Sequence, residues 1–92
     1  MSLTGIAARA GVTTSNLQQL IAHGSASAAF AGRLGVTTSN LNDFINGSAS
    51  VGIANALGTT TSSAQELRNL IGREGAIGLV IGLACGRGSQ PA

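Results

Sequence analysis

Apolar residues along this chain recur at helical spacing, in short bursts that glycine closes. Leu3, Ile6, Ala7 and Ala10 fall at i, i+3, i+4 and i+7, one stripe of a helix. Gly11 ends that helix, supplying the left-handed conformation common just past a helix C-terminus. Val12 then points back to the core, and Thr13 or Thr14 can cap the helix that follows. Leu17, Leu20 and Ile21 repeat the stripe until Gly24 stops it. Ser15 with Gln18 also offers a capping box, which leaves the helix start open by a residue or two.

The same grammar returns twice. In the second unit Phe30, Ala31 and Leu34 face inward, Gly35 turns, Val36 plugs, Leu41, Phe44 and Ile45 face inward, and Gly47 stops. The third gives Ile53, Ala54 and Leu57, the Gly58 turn, then Leu67, Leu70 and Ile71 before Gly72. Gly11-Val12-Thr13-Thr14-Ser15-Asn16-Leu17 recurs unchanged as Gly35-Val36-Thr37-Thr38-Ser39-Asn40-Leu41 and, altered, as Gly58-Thr59-Thr60-Thr61-Ser62-Ser63-Ala64. The turn glycines lie 24 and 23 residues apart, and Ser25-Ala26-Ser27 and Ser48-Ala49-Ser50 join the units. The pattern predicts one all-α domain over 1–86: three tandem helix-turn-helix-like pairs (about 3–24, 27–47 and 50–72) and a seventh helix.

That seventh helix has a different character. Residues 75–86 carry no charge, and Gly78, Gly82 and Gly86 fall four apart along one face, with Ile77, Leu79, Val80, Ile81 and Leu83 around them. Each glycine costs a helix up to about 1 kcal/mol relative to alanine, so three in register suggest a backbone that another helix approaches closely. Twelve residues are fewer than the roughly 20 that span a bilayer, which makes a membrane partner unlikely on length. A helix apolar all round is buried, in the core centre or against another subunit. The expected self-association seam is Ile77, Gly78, Ile81, Gly82, Cys85 and Gly86. Residues 87–92 read as a flexible tail.

Composition points the same way. Of 92 residues 43% are hydrophobic, but there are two Phe and no Trp or Tyr, so aromatic burial contributes little to the core. Only 9% are charged, against the roughly 25% usual for soluble domains, which leaves a surface poorly protected against association. The net charge of +2 comes from five scattered Arg and three acids, without Lys, whereas phosphate-binding surfaces cluster their cations. Met1 is followed by Ser-Leu-Thr-Gly rather than a basic and then apolar leader. The single Cys85 builds no disulfide framework. Both favour the cytoplasm, and an extracellular assembly stays open.

Little here reads as chemistry. His23 beside Gly24 suits a helix C-terminus, where the dipole favours a cation, and the acids Asp43, Glu66 and Glu74 are not at metal-ligand spacing from it. Cys85 on the apolar segment reads as a small buried hydrophobe. No phosphate loop, paired carboxylates or triad is present. The expectation is a non-enzymatic chain with no cofactor and no metal.

Each unit resembles the helix-turn-helix element of the Cro/repressor-type DNA-binding proteins. That pattern has a small residue four before the turn glycine, a hydrophobic residue after it, and apolar residues six and nine after it. Ala7, Gly11, Val12, Leu17 and Leu20 match in the first unit, and Ala31, Gly35, Val36, Leu41 and Phe44 in the second. In the third, Ala54, Gly58 and Leu67 match, while Thr59 and Ala64 depart. The likeness covers residues 3–72 on about six positions per unit, and fold alone does not fix function. It implies a second helix placed in the DNA major groove. Arg9, Thr13, Thr14, Asn16, Gln18 and Gln19, with Arg33, Thr37, Thr38 and Asn40, would be the contacts, the arginines on phosphate and the rest on base edges. Asp43 and Glu66 on those second helices oppose DNA. The first expectation is therefore a self-associating structural or protein-interaction module whose partners are copies of itself, such as the subunit of a filament, tube or shell. A helix-turn-helix DNA-binding regulator, with nucleic acid as partner, is the alternative.

Overall fold

Each helix begins where a hydroxyl side chain can take over an orphan backbone N–H. The structure, a computed structural model, describes residues 2–88. Among these residues it contains six helices and no strand: α1 (Leu3–Ala10), α2 (Thr14–His23), α3 (Ala28–Leu34), α4 (Thr38–Asn46), α5 (Val51–Leu57) and α6 (Thr61–Gly88). Ser2, Ser27 and Ser50 cap α1, α3 and α5, each accepting the N–H three residues on. Thr13, Thr37 and Thr60 do the same for α2, α4 and α6. Thr13 thus starts α2, and the Ser15–Gln18 capping box is not used.

Within each unit the turn is the same object. Gly11, Gly35 and Gly58 have φ of 74–75°, a left-handed conformation that costs residues with a Cβ about 1–2 kcal/mol. The N–H after each glycine reaches back to the alanine four residues before it, as Val12 to Ala7, Val36 to Ala31 and Thr59 to Ala54, all at 3.0 Å. Those alanines are buried, so a small side chain there lets the next helix close over the turn.

The units surround the second half of α6. Ala76, Ile77, Val80 and Ala84 are buried among Phe30, Leu34, Leu41, Phe44 and Ile53, and α6 packs against α1, α3, α4 and α5. The radius of gyration is 12.3 Å, as expected of a compact domain of this length. The units therefore wrap around α6 and do not stack into a rod.

Several expectations change. The third unit's second helix and the apolar helix adjoin without a joint and are numbered together as α6, so the seven expected helices are present as α1–α5 and the two arms of α6. Gly72 (φ 73°, ψ −179°) breaks that run into arms of 61–71 and 73–88. Unlike Gly24 and Gly47, it is followed by Arg73-Glu74 and not by a Ser-Ala-Ser joint, so no capping residue separates the arms. Arg87 and Gly88 belong to α6 and not to a tail; residues 89–92 lie outside the described residues. Leu3, Ile21 and Leu70, expected inside, are exposed by 40%, 50% and 85%. Ile45, the counterpart of Ile21 ten residues after its turn glycine, is fully buried. The stripe is the same in both units; what differs is whether a neighbour covers it.

Candidate self-association surface

The apolar arm of α6 has two unlike faces. Ile77 is turned into the core, as are Ala76, Val80 and Ala84. Ile81 and Cys85 are half-buried, and the Cys85 thiol lies 3.9 Å from the carbonyl oxygen of Ile6. Gly78, Gly82 and Gly86 are exposed. A Cβ built at any of the three would meet nothing within 4 Å. The expected seam is therefore divided: Ile77 and Cys85 hold α6 to its own chain, while the glycine row, flanked by half-buried Leu79, Ile81 and Leu83, forms a shallow apolar strip facing outward. Gly75 is different. Its Cβ would stand 2.7 Å from that of Ile71, so this glycine accommodates the bend at Gly72.

Of the ten residues considered for DNA contact, three spend their side chains within the fold. Arg33 donates to the carbonyl of Ala84 at 3.2 Å and to that of Arg9 at 3.1 Å, joining α3 to α6 and α1. Thr13 and Thr37 spend their hydroxyls on capping. Thr14, Thr38, Asn16 and Asn40 are half-buried, and Gln18, Gln19 and Arg9 are exposed. The ten include two arginines, Arg9 exposed and Arg33 half-buried with its guanidinium on backbone carbonyls. Asp43 and Glu66 are exposed on the second helices.

Arginine has another use here that sequence reasoning missed. The last carbonyls of a helix lack intrahelical partners and carry partial negative charge. Arg68 donates to the carbonyls of Phe44 and Ile45, both at 2.8 Å, closing α4. Arg73 closes α2 through His23 at 2.8 Å, and Arg87 closes α5 through Ala56 at 3.0 Å. With Arg33 on α1, four arginines each staple the end of a distant helix. The Arg9 side chain, alone of the five, makes no hydrogen bond among the described residues. The contacts span 23–51 residues of sequence, so no local pattern announces them.

A second unread device ties each joint to the unit after it. The side-chain oxygen of Asn42 accepts the Ala26 N–H at 2.9 Å, and its nitrogen donates to the Ala26 carbonyl at 3.2 Å. Gln65 accepts the Ala49 N–H at 2.9 Å and donates to the Gly47 carbonyl at 2.7 Å. Both amides stand seven residues after a turn glycine (Gly35 to Asn42, Gly58 to Gln65), and Gln18 stands seven after Gly11. An amide at that register in all three units was the available signal.

Among the described residues no group of three His, Cys, Asp or Glu side chains could hold a metal ion. By length and composition alone Thr61–Arg87 is apolar enough to cross a membrane. Ala76, Ile77, Val80 and Ala84 face the core, while 22% of the apolar window is buried. No protein-family profile, no curated protein and no solved structure matches this chain.

Proposed function

We propose that this chain is a self-associating structural or protein-interaction module, with the glycine row of α6 as its seam. The observation that carries the reading is the open space above Gly78, Gly82 and Gly86. Three exposed helix-interior glycines forgo about 2–3 kcal/mol relative to alanine, and nothing in the fold exploits the access they leave. A helix of a second copy would exploit it, since small residues let backbones approach closely. Because glycines four apart repeat about every 6 Å along a helix, the strip is long enough for such a crossing. The low charge of the chain and the half-buried Leu79, Ile81 and Leu83 beside the row favour apolar contacts of low salt dependence. Four of the five arginines are held to backbone carbonyls of the fold, which counts against the DNA-binding alternative.

The test is light scattering and negative-stain imaging of the purified protein beside Gly82→Leu and Gly82→Ala. The wild type forms ordered multimers without nucleic acid. Gly82→Leu fills the strip and lowers assembly at least tenfold, without loss of helicity, while Gly82→Ala raises the stability of the dissociated subunit by up to about 1 kcal/mol. Assemblies of unchanged size and stability in Gly82→Leu, or a wild type that stays monomeric, would overturn the reading.

A further inference from the structure

One residue of unusual backbone joins the two arms of α6. Gly11, Gly24, Gly35 and Gly58 have φ of 65–75° with ψ of 26–33°, the left-handed helical conformation. Gly72 shares that φ (73°) but has ψ −179°, a region almost confined to glycine. A Cβ at Gly72 would meet no atom within 4 Å, so backbone conformation is all that reserves the position for glycine. The residues on either side are helical, so φ and ψ of a single residue separate the bent α6 from a straight one. Gly75 carries the same mark of the bend. A Cβ there would stand 2.7 Å from the Cβ of Ile71, whereas a straight helix holds Cβ atoms four positions apart at about 5–6 Å.

The two arms are anchored to different parts of the fold. Gln65 and Arg68 hold the first arm to the second joint, at Gly47 and Ala49, and to the end of α4. The second arm fills the centre of the core with Ala76, Ile77, Val80 and Ala84. It is pinned there by Arg33 on the Ala84 carbonyl and by Arg87 on that of Ala56. If Gly72 turns helical while the first arm keeps its hold, the second arm leaves its own core. Its four buried apolar side chains are then exposed, and the space they filled among α1, α3, α4 and α5 opens. The shape of that space selects its occupant, which is another copy of the same arm.

From the hinge and the divided anchoring we infer that two copies of this chain exchange second arms, each straightened α6 carrying residues 73–88 into the core of the other. The core contacts that an arm gives up, with the Arg33 and Arg87 hydrogen bonds, are remade there with the same partners. Only the hinge changes. Because the exchange is reciprocal, two copies close into a symmetric dimer. The balance between bent and exchanged forms then lies with Gly72 and Gly75, since alanine at either position disfavours the bend and favours the helix. Conversion is slow, because an arm must leave one core before it enters another. The inference goes beyond the glycine row and does not rest on it, since Gly78, Gly82 and Gly86 stay outside in both forms.

The experiment unfolds the full chain in guanidinium, refolds it over a range of concentrations and reads the dimer fraction by size-exclusion chromatography with light scattering. Isotope-filtered NMR on dimers refolded from mixed labelled and unlabelled chains then asks which chain supplies the arm. Exchange gives NOEs between Val80 and Leu83 of one chain and Leu34 and Phe44 of the other, residues that line one core gap in the bent subunit. Gly72→Ala and Gly75→Ala each lower the concentration at which half the chains are dimeric by about a hundredfold, since every dimer relieves two hinges. Arg73→Pro raises it about tenfold relative to Arg73→Ala, because proline suits the first turn of the second arm and keeps the residue before it out of the helical region. The alanine variant accounts for the lost bond to His23. Interchain NOEs that persist in Gly82→Leu support exchange whatever becomes of the glycine row. Dimers whose NOEs stay within one chain and that Gly82→Leu abolishes overturn exchange and leave the row standing. Gly72→Ala and Gly75→Ala proteins that stay as monomeric as the wild type, or that merely unfold, have found no second core for a straight arm to enter and overturn it as well.

Discussion

Replacing Asn42 by alanine and, separately, Gln18 by alanine sets two positions of identical register against each other. Asn42 accepts the Ala26 N–H and donates to the Ala26 carbonyl, and Ala26 is only 7% exposed. A third bond, to Thr38 at 3.0 Å, adds little, because that carbonyl lies inside α4 and keeps its helical partner. Two neutral bonds are worth about 1 kcal/mol each, and the buried backbone groups left without partners raise the cost. Asn42→Ala should therefore destabilise the subunit by about 2–3 kcal/mol. That is a large part of the 5–15 kcal/mol, roughly, that small domains possess, and it corresponds to a fall in Tm of roughly 10–20 °C. Gln18→Ala removes no bond among the described residues and should stay within about 0.5 kcal/mol of wild type. Asn42→Asp keeps the acceptor, loses the donor and should fall between. Urea unfolding followed by far-UV circular dichroism, on samples dilute enough to be monomeric, gives the three values. Equal losses at positions 42 and 18 would refute the clasp, as would an Asn42→Ala cost below about 0.5 kcal/mol.

The other substitutions test the turns and the arginine staples. Gly35→Ala meets no atom within 4 Å, so its cost is that of the left-handed backbone, about 1–2 kcal/mol. Gly11→Ala bears the same cost and in addition brings a Cβ to 2.9 Å from the Arg33 guanidinium; denaturant titration should rank it as the more damaging of the two. Arg68→Ala leaves the carbonyls of Phe44 and Ile45 without their guanidinium and should cost about 2–4 kcal/mol, with hydrogen bonds to a charged group at about 1.5–3 kcal/mol each discounted for partial exposure. Arg68→Lys keeps the charge but not the two-pronged geometry, and thermal melts should show it recovering less than half of the loss.

The parts of this fold written in the sequence are those made by neighbours in sequence. The serine and threonine caps, the left-handed glycines and the alanine under each turn act over three to five residues, and a repeat states them three times. Burial is another matter. The stripe Leu17, Leu20, Ile21 matches Leu41, Phe44, Ile45, but a stripe says which face is apolar and not what lies against it. Ile21 is half exposed because α2 is the outermost second helix, whereas α4 lies between units and packs on α5 and α6. Leu70 belongs to the arm of α6 before the break, and the bend at Gly72 leaves it outside the core that the second arm fills. The arginine staples were out of reach for the converse reason: each needs a carbonyl that only the tertiary fold brings near.

The candidate surfaces follow from the same division. A glycine every fourth residue on an apolar helix is visible in the sequence; only the packing of α6 tells that no described residue covers the row, since Ala76, Val80 and Ala84 take the core side and the glycines are left outside. The joint clasp reverses the order. Its chemistry is a pair of side-chain amides like many others, and its meaning appears only when Asn42 and Gln65 are seen gripping backbone. Once it is seen, the repeat places a third amide, Gln18, at the same register. Internal repetition thus supplies a comparison within one chain: the second and third units show an amide at this register gripping backbone.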